Sequence, residues 1–162
     1  RTTCVLFGDG AGAVVLEASR VDHRESKSGI ISTHIHSDGK YEELLYCDGG
    51  PSTNQTAGFI KMEGKEVFKH AVNNLASVVK EILNENKLEP EEVDWLVPHQ
   101  ANKRIIESTA KKLKMPMSKV ILTVDMHANT SAASIPLALD YGIKNEKIKK
   151  SLIELTKVFK EK

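Results

Sequence analysis

The sequence predicts an α/β fold, and three observations carry that prediction. From residue 30 to residue 140, short apolar runs alternate with longer stretches of helical periodicity. Two of those runs, Trp95-Leu96-Val97 and Val120-Ile121-Leu122-Thr123-Val124, stop abruptly at polar clusters. The order βαβαβα then implies parallel strands joined by right-handed crossovers. All strand carboxyl ends of such a sheet share one rim, where open α/β sheets place their chemistry.

The elements follow in order. Cys4–Phe7 and Ala13–Leu16 read as strands around the turn Gly8-Asp9-Gly10-Ala11-Gly12. Gly8-x-Gly10-x-x-Ala13 has the text of a dinucleotide fingerprint. That motif needs a helix after its glycines, and Val14-Val15-Leu16 favours a strand, so a hairpin is expected. Residues 19–28 form a polar connection. Residues 29–36 read as a third strand, with His34 and His36 on one face by the period of two. A metal site there lacks an evident third ligand. Residues 37–59 form a long glycine-rich excursion, either a cover over a pocket or a surface insertion.

Residues 62–86 carry the clearest helical rhythm, through Val67, Phe68, Ala71, Val72, Leu75, Val78, Val79, Ile82 and Leu83. Residues 102–114 give a second helix with Arg104, Lys111, Lys112 and Lys114 on an exposed side. A third helix starts at Ser131, a candidate N-cap, with a kink expected near Pro136. Residues 148–159 are spaced as an amphipathic helix.

Composition narrows the function. The 162 residues suffice for one domain with a core. Lys and Arg number 23 against 22 Asp and Glu, which argues against bulk nucleic-acid binding. No apolar run approaches the ~18 residues of a membrane helix, and Arg1–Phe7 does not read as a signal peptide. Cys4 and Cys47 lack metal-type spacing, which suits a cytoplasmic protein with free thiols.

His99 follows one strand end and Asn129 the next, so both are expected on one rim. Together they fit two chemistries. In one, Asn orients His and His activates a thiol, but neither cysteine has the setting that lowers a thiol pKa. In the other, both donate hydrogen bonds to a carbonyl oxygen as it becomes an enolate. A loop hydrogen bond remains the plain alternative for each residue.

Four stretches, in order, carry a resemblance. They are Leu6–Ala13, Met62–Phe68, Val97–Asn102 and His127–Ser134. Together they resemble β-ketoacyl-acyl-carrier-protein synthase III, the initiating condensing enzyme of type II fatty-acid synthesis, an acyltransferase with a thiolase fold. The resemblance implies a thiolase-like half-domain with a mixed, mainly parallel sheet and an amino-terminal hairpin, incomplete at the carboxyl end. Residues 1–18 are then the hairpin left from an amino-terminal half, 29–148 the carboxyl-terminal half, and 149–162 a divergent basic tail.

The resemblance also implies roles. His99 and Asn129 match the residues that stabilise the thioester enolate. Gly64, Phe68, Ala101 and Asn102 match the lining of the CoA and pantetheine tunnel. Gln100 and Arg104 match the segment that docks acyl-carrier protein. Substrates are acyl-CoA, commonly acetyl-CoA, and malonyl-carrier protein, with no further cofactor or metal expected. The family is homodimeric, and its nucleophilic Cys lies in an amino-terminal half that neither Cys4 nor Cys47 replaces. The expectation is therefore a half-enzyme that is inactive alone, with a non-catalytic remnant or a CoA- and carrier-binding half without turnover as the alternative. A nucleotide-binding module built on the glycine turn is a weaker third reading.

Overall fold

The computed structural model describes residues 3–18 and 29–148, so the expected polar connection at 19–28 and the amphipathic tail beyond 148 lie outside the described residues. Its first regular elements fall in the excursion where the sequence suggested irregular chain. Gly39–Leu44 form a 3-10 helix, and Leu45–Cys47 (β1) pair antiparallel with Ile60–Met62 (β2), Leu45 opposite Met62. Asp48 closes the hairpin by accepting the Phe59 N–H at 2.7 Å and pairing with the Lys61 ammonium at 2.9 Å.

The 62–86 periodicity becomes α1, Gly64–Glu85, which buries Ala76, Val79 and Leu83. They pack on Ile106 and Ala110 of α2, Lys103–Lys112, and on Val93, Leu113 and Met115. Asn102 caps α2, its side-chain oxygen accepting the Arg104 N–H at 2.8 Å. A one-turn helix, Val124–His127 (α3), takes over where the 120–124 strand was expected to finish. The last helix, α4, spans Ser134–Lys144 and follows a 3-10 turn at Ser131–Ala133. Ser131 is thus not its N-cap. Pro136 is the third residue of α4, where no intrahelical N–H bond is lost, so no kink is required.

Between these helices lies a parallel layer much narrower than expected. Leu96 and Val120 form a single parallel bridge, with Leu96 N–H donating to Lys119 O at 2.8 Å and Ile121 N–H to Leu96 O at 2.9 Å. Leu96 and Val120 face the α1–α2 core, while Trp95, Val97 and Ile121 pack with Ala138, Leu139 and Ile148 on the other side.

Pro98 explains why the ladder stops. The next parallel pair of bonds needs an N–H at residue 98 for Ile121 O and a partner at Pro98 O for the Thr123 N–H. Proline has no N–H. The side chain of Gln100 occupies the gap. Its Nε2 donates to Ile121 O at 3.1 Å and to Pro98 O at 2.9 Å, and its Oε1 accepts the Thr123 N–H at 2.8 Å. One side-chain amide stands in for a peptide group.

The amino-terminal hairpin is not formed among the described residues. Phe7 instead bridges Asn129 in parallel, with Asn129 N–H donating to Leu6 O at 2.9 Å and Gly8 N–H to Asn129 O at 3.0 Å. Residues 8–18 then carry no regular structure. The glycines serve close packing: a Cβ on Gly10 would sit 2.7 Å from Thr130 Cγ2, and one on Gly12 2.8 Å from Pro136 Cβ.

Residues 30–36 make no described ladder, yet their period-two alternation is real. Ser32 Oγ accepts from Asn86 of α1 at 2.7 Å, and the His34 and His36 rings donate to separate oxygens of Glu81 at 2.7 and 2.8 Å. The His34 bond, with a smaller contribution from His36, holds the Glu81 carboxyl below its ordinary range. Among the described residues no His, Cys, Asp and Glu group could hold a metal. No described helix is long and apolar enough to cross a membrane. Apolar surface stays uncovered at Val15, 94% exposed, and Ile35, 93% exposed.

Gln100→Leu leaves the bonding groups of Ile121, Pro98 and Thr123 without partners. It should lower stability by about 3–5 kcal/mol, read as a fall in the urea midpoint.

Candidate active site

The Gln100 insertion fixes both chain segments that leave the parallel layer, and the polar side chains sit on those segments. His99 lies between Pro98 and Gln100 and is half-buried. Its Nδ1 is 2.7 Å from Ser134 Oγ, and the same oxygen accepts the Gln100 N–H at 3.0 Å. Burial pushes the imidazole pKa below its ordinary value of 6.5, with the Ser131 carbonyl acting in the opposite direction. The ring is therefore neutral at pH 7.

Asn129 is held at both ends. Its backbone is bonded on both sides to residues 6–8, and its Oδ1 accepts the Ser131 N–H at 3.0 Å. That bond assigns the amide orientation, leaving Nδ2 as the uncommitted donor. The approach to Asn129 is strained. Ala128 has φ 56° and ψ −165°, a region nearly reserved for glycine, at a cost of roughly 1–3 kcal/mol.

Both side chains line one cleft of about 530 Å³. Gly64, Val67, Phe68 and Ala71 of α1 form one wall. Ala101, Asn102 and Ile105 lie beside His99, and Ser131, Ala132 and Ile135 lie beside Asn129. Leu45 and Met62 of the hairpin and Leu6 and Phe7 complete it. The glycine-rich excursion thus helps to wall the pocket. His99, Asn129, Gly64, Phe68, Ala101 and Asn102 come together around this cleft.

The remaining two residues assigned from sequence do not. Gln100 is 0% exposed, with its amide spent on the ladder, so it offers no surface to a carrier protein. Arg104 is exposed outside the cleft, its guanidinium 5.8 Å from the Phe68 ring centroid. Cys4 and Cys47 are exposed and neither lines the cleft. Sequence reasoning missed Ser134, whose position in a run of small residues signalled packing and not a polar contact. It also missed Leu45 and Met62, which lie in weak strands that periodicity does not reveal.

Comparison with known proteins points the same way. Residues 83–156 match the family described as 3-oxoacyl-[acyl-carrier-protein] synthase III C terminal, and residues 1–39 match 3-oxoacyl-[acyl-carrier-protein] synthase III. The chain is 62% identical over 149 residues to a beta-ketoacyl-[acyl-carrier-protein] synthase III of Paramagnetospirillum magneticum, covering 92% of this chain and 46% of that protein. It is 61% identical to the Rhodospirillum centenum protein of the same name, covering 96% and 48%. The crystal structure of the Aquifex aeolicus 3-oxoacyl-[acyl-carrier-protein] synthase III superposes with a TM-score of 0.82 at 47% identity, over 93% of this chain and 45% of that one. The Pseudomonas aeruginosa structure gives 0.82 at 35% identity, over 92% and 45%. The chain spans about half the length of the relatives it matches.

The depressed His99 pKa has a sign that can be checked. Between its folded value and 6.5 the unfolded chain binds more protons, so this residue makes stability rise with pH through that window. An NMR titration of the His99 ring should give a midpoint below 6.5, and a midpoint above it would contradict the desolvated setting.

Proposed function

We propose, from the premise that this chain belongs to the β-ketoacyl-acyl-carrier-protein synthase III family, that its cleft stabilises a thioester enolate during decarboxylative condensation. The observation that supports this reading is the His99 imidazole and the Asn129 amide, from separate loops, lining one largely apolar cleft. A malonyl thioester loses its carboxylate as CO2, and the electron pair moves through the α-carbon onto the thioester oxygen. His99 Nε2–H and Asn129 Nδ2–H donate to that oxygen as its charge grows. The enolate carbon then attacks an acyl thioester, expelling the thiolate and leaving a β-ketoacyl product.

The substrates are an acyl-CoA, with acetyl-CoA the expected starter, and malonyl-carrier protein. Gly64, Phe68, Ala101 and Asn102 form the wall along which pantetheine lies. Neutral donors suit the task because they bind the developing oxyanion without holding the starting carboxylate. The low-dielectric wall strengthens each donor. With no cysteine in the cleft, the acyl-bearing thiol is assigned to residues other than these 162, in an amino-terminal half. Arg104 supplies the positive charge that meets an acidic carrier protein, and Gln100 has no part in that contact.

The same missing thiol favours a second reading, a half that binds CoA and carrier protein without turnover. Supplying the part of the Rhodospirillum centenum relative that this chain does not match separates the two. Condensation on mixing supports the enzyme reading, and bound CoA with no product supports the other.

Decarboxylation of malonyl-CoA by that mixture should fall about 10²- to 10³-fold in His99→Ala and in Asn129→Ala. Unchanged CO2 release in either variant removes that residue from the oxyanion site. Arg104→Glu should weaken malonyl-carrier protein binding roughly tenfold while leaving malonyl-CoA turnover intact, measured by comparing KM for the two substrates.

A further inference from the structure

We propose that Ser134 is a positioning residue that sets the tautomer of His99, keeping Nδ1 unprotonated so that the ring proton resides on Nε2. The inference deepens the enolate reading and rests on it for its functional meaning. Its physical basis is the count of protons and lone pairs at one buried oxygen.

Ser134 is 1% exposed, so bulk water does not compete for its hydroxyl. Among the described residues its Oγ has two hydrogen-bond partners, the Gln100 N–H at 3.0 Å and His99 Nδ1 at 2.7 Å. A backbone N–H can only donate, so it claims a lone pair on Oγ. If Nδ1 also carried a proton it would claim the second, and the hydroxyl proton would face neither neighbour. With Nδ1 bare, the hydroxyl donates to it and all three groups are satisfied. A buried donor without a partner is costly enough to bias the tautomer ratio roughly tenfold or more.

The backbone N–H cannot swing away to relieve the alternative, because the Gln100 side chain is bonded to Pro98, Ile121 and Thr123. Burial favours the neutral imidazole, in which one ring nitrogen is protonated; the Ser131 carbonyl also draws on that ring, but among the described residues it makes no hydrogen bond of ordinary geometry to it, whereas the Ser134 contact is 2.7 Å long. Order therefore passes from the ladder gap through Gln100 N–H and Ser134 Oγ–H to His99. The second ring nitrogen holds its proton before any substrate arrives, so no tautomer exchange is needed as the oxyanion forms.

Long-range 1H–15N spectra of the full chain with 15N-labelled histidine test this at pH 7.5. His99 should show a pyridine-like Nδ1 and a pyrrole-like Nε2. In S134A the ratio should shift toward Nδ1–H roughly tenfold, and S134T, which keeps a hydroxyl, should retain the original pattern. With the amino-terminal half added, malonyl-CoA decarboxylation by S134A should lose roughly tenfold or more in kcat, with little change in KM. That is less than the loss from deleting a donor outright.

An Nδ1–H tautomer in the unsubstituted chain overturns the proposal even where S134A does not fold. So does a folded S134A with unchanged tautomer, whatever its kcat, because a merely structural serine would lower activity without moving the ring proton. Absence of any decarboxylation defeats the enolate reading alone, since the spectra report the ring state without turnover.

Discussion

The bonding deficit created by Pro98 governs the middle of this molecule. A parallel ladder that has just begun at Leu96 and Val120 loses its next donor, and a buried carbonyl and a buried N–H are left to be satisfied. The Gln100 side chain meets both, and because an amide has a donor and an acceptor end, it does so in one orientation. The two chain segments are thereby tied beyond the point where regular pairing ends. They diverge after that point, and the space between them becomes the cleft.

Each polar group in that cleft is held by a different device. His99 is held through its ring, against a serine at the start of α4. Asn129 is held through its backbone, clamped to residues 6–8, and through an Oδ1 bond to the Ser131 N–H. Neither depends on the other, so the pair can be preorganised without a bond between its members. Preorganised donors in a low-dielectric wall need little rearrangement when charge appears, the condition under which hydrogen bonds contribute most to rate. The hairpin β1–β2 adds to this by covering one side with Leu45 and Met62.

Much of this site was legible in the sequence, for identifiable reasons. A shared rim for His99 and Asn129 follows from strand order alone, and a single bridge between Leu96 and Val120 suffices to make it true. The helices were legible because burial on one face imposes a period that no other element shows. What escaped was governed by contacts distant in sequence. Gln100 was expected at the surface because the family resemblance put it in the carrier-docking segment, and only the ladder pattern around Pro98 shows why it is inside. The first glycine turn looked like a hairpin because a close approach to α4 and a tight turn ask for the same residue. Ser134 carried no signal of a polar contact, since it sits in a run of small residues and a hydroxyl at a helix start is commonplace.

Ala128 joins two positions that are 120 places apart in the chain. Its backbone adopts a glycine-type conformation while keeping a methyl, and a Cβ placed on Gly8 would come within 3.0 Å of that methyl. The space between the 6–8 segment and the Asn129 loop therefore accommodates one methyl group, not two. In sequences built on this backbone, residues 8 and 128 are constrained as a pair. Alanine at 128 crowds a side chain at 8, and glycine at 128 relieves that contact while leaving the His127 carbonyl oxygen 3.1 Å from a Cβ at 8. The residues tolerated at one end of the clamp on Asn129 thus depend on the methyl at the other end and on the fixed carbonyl of His127 between them.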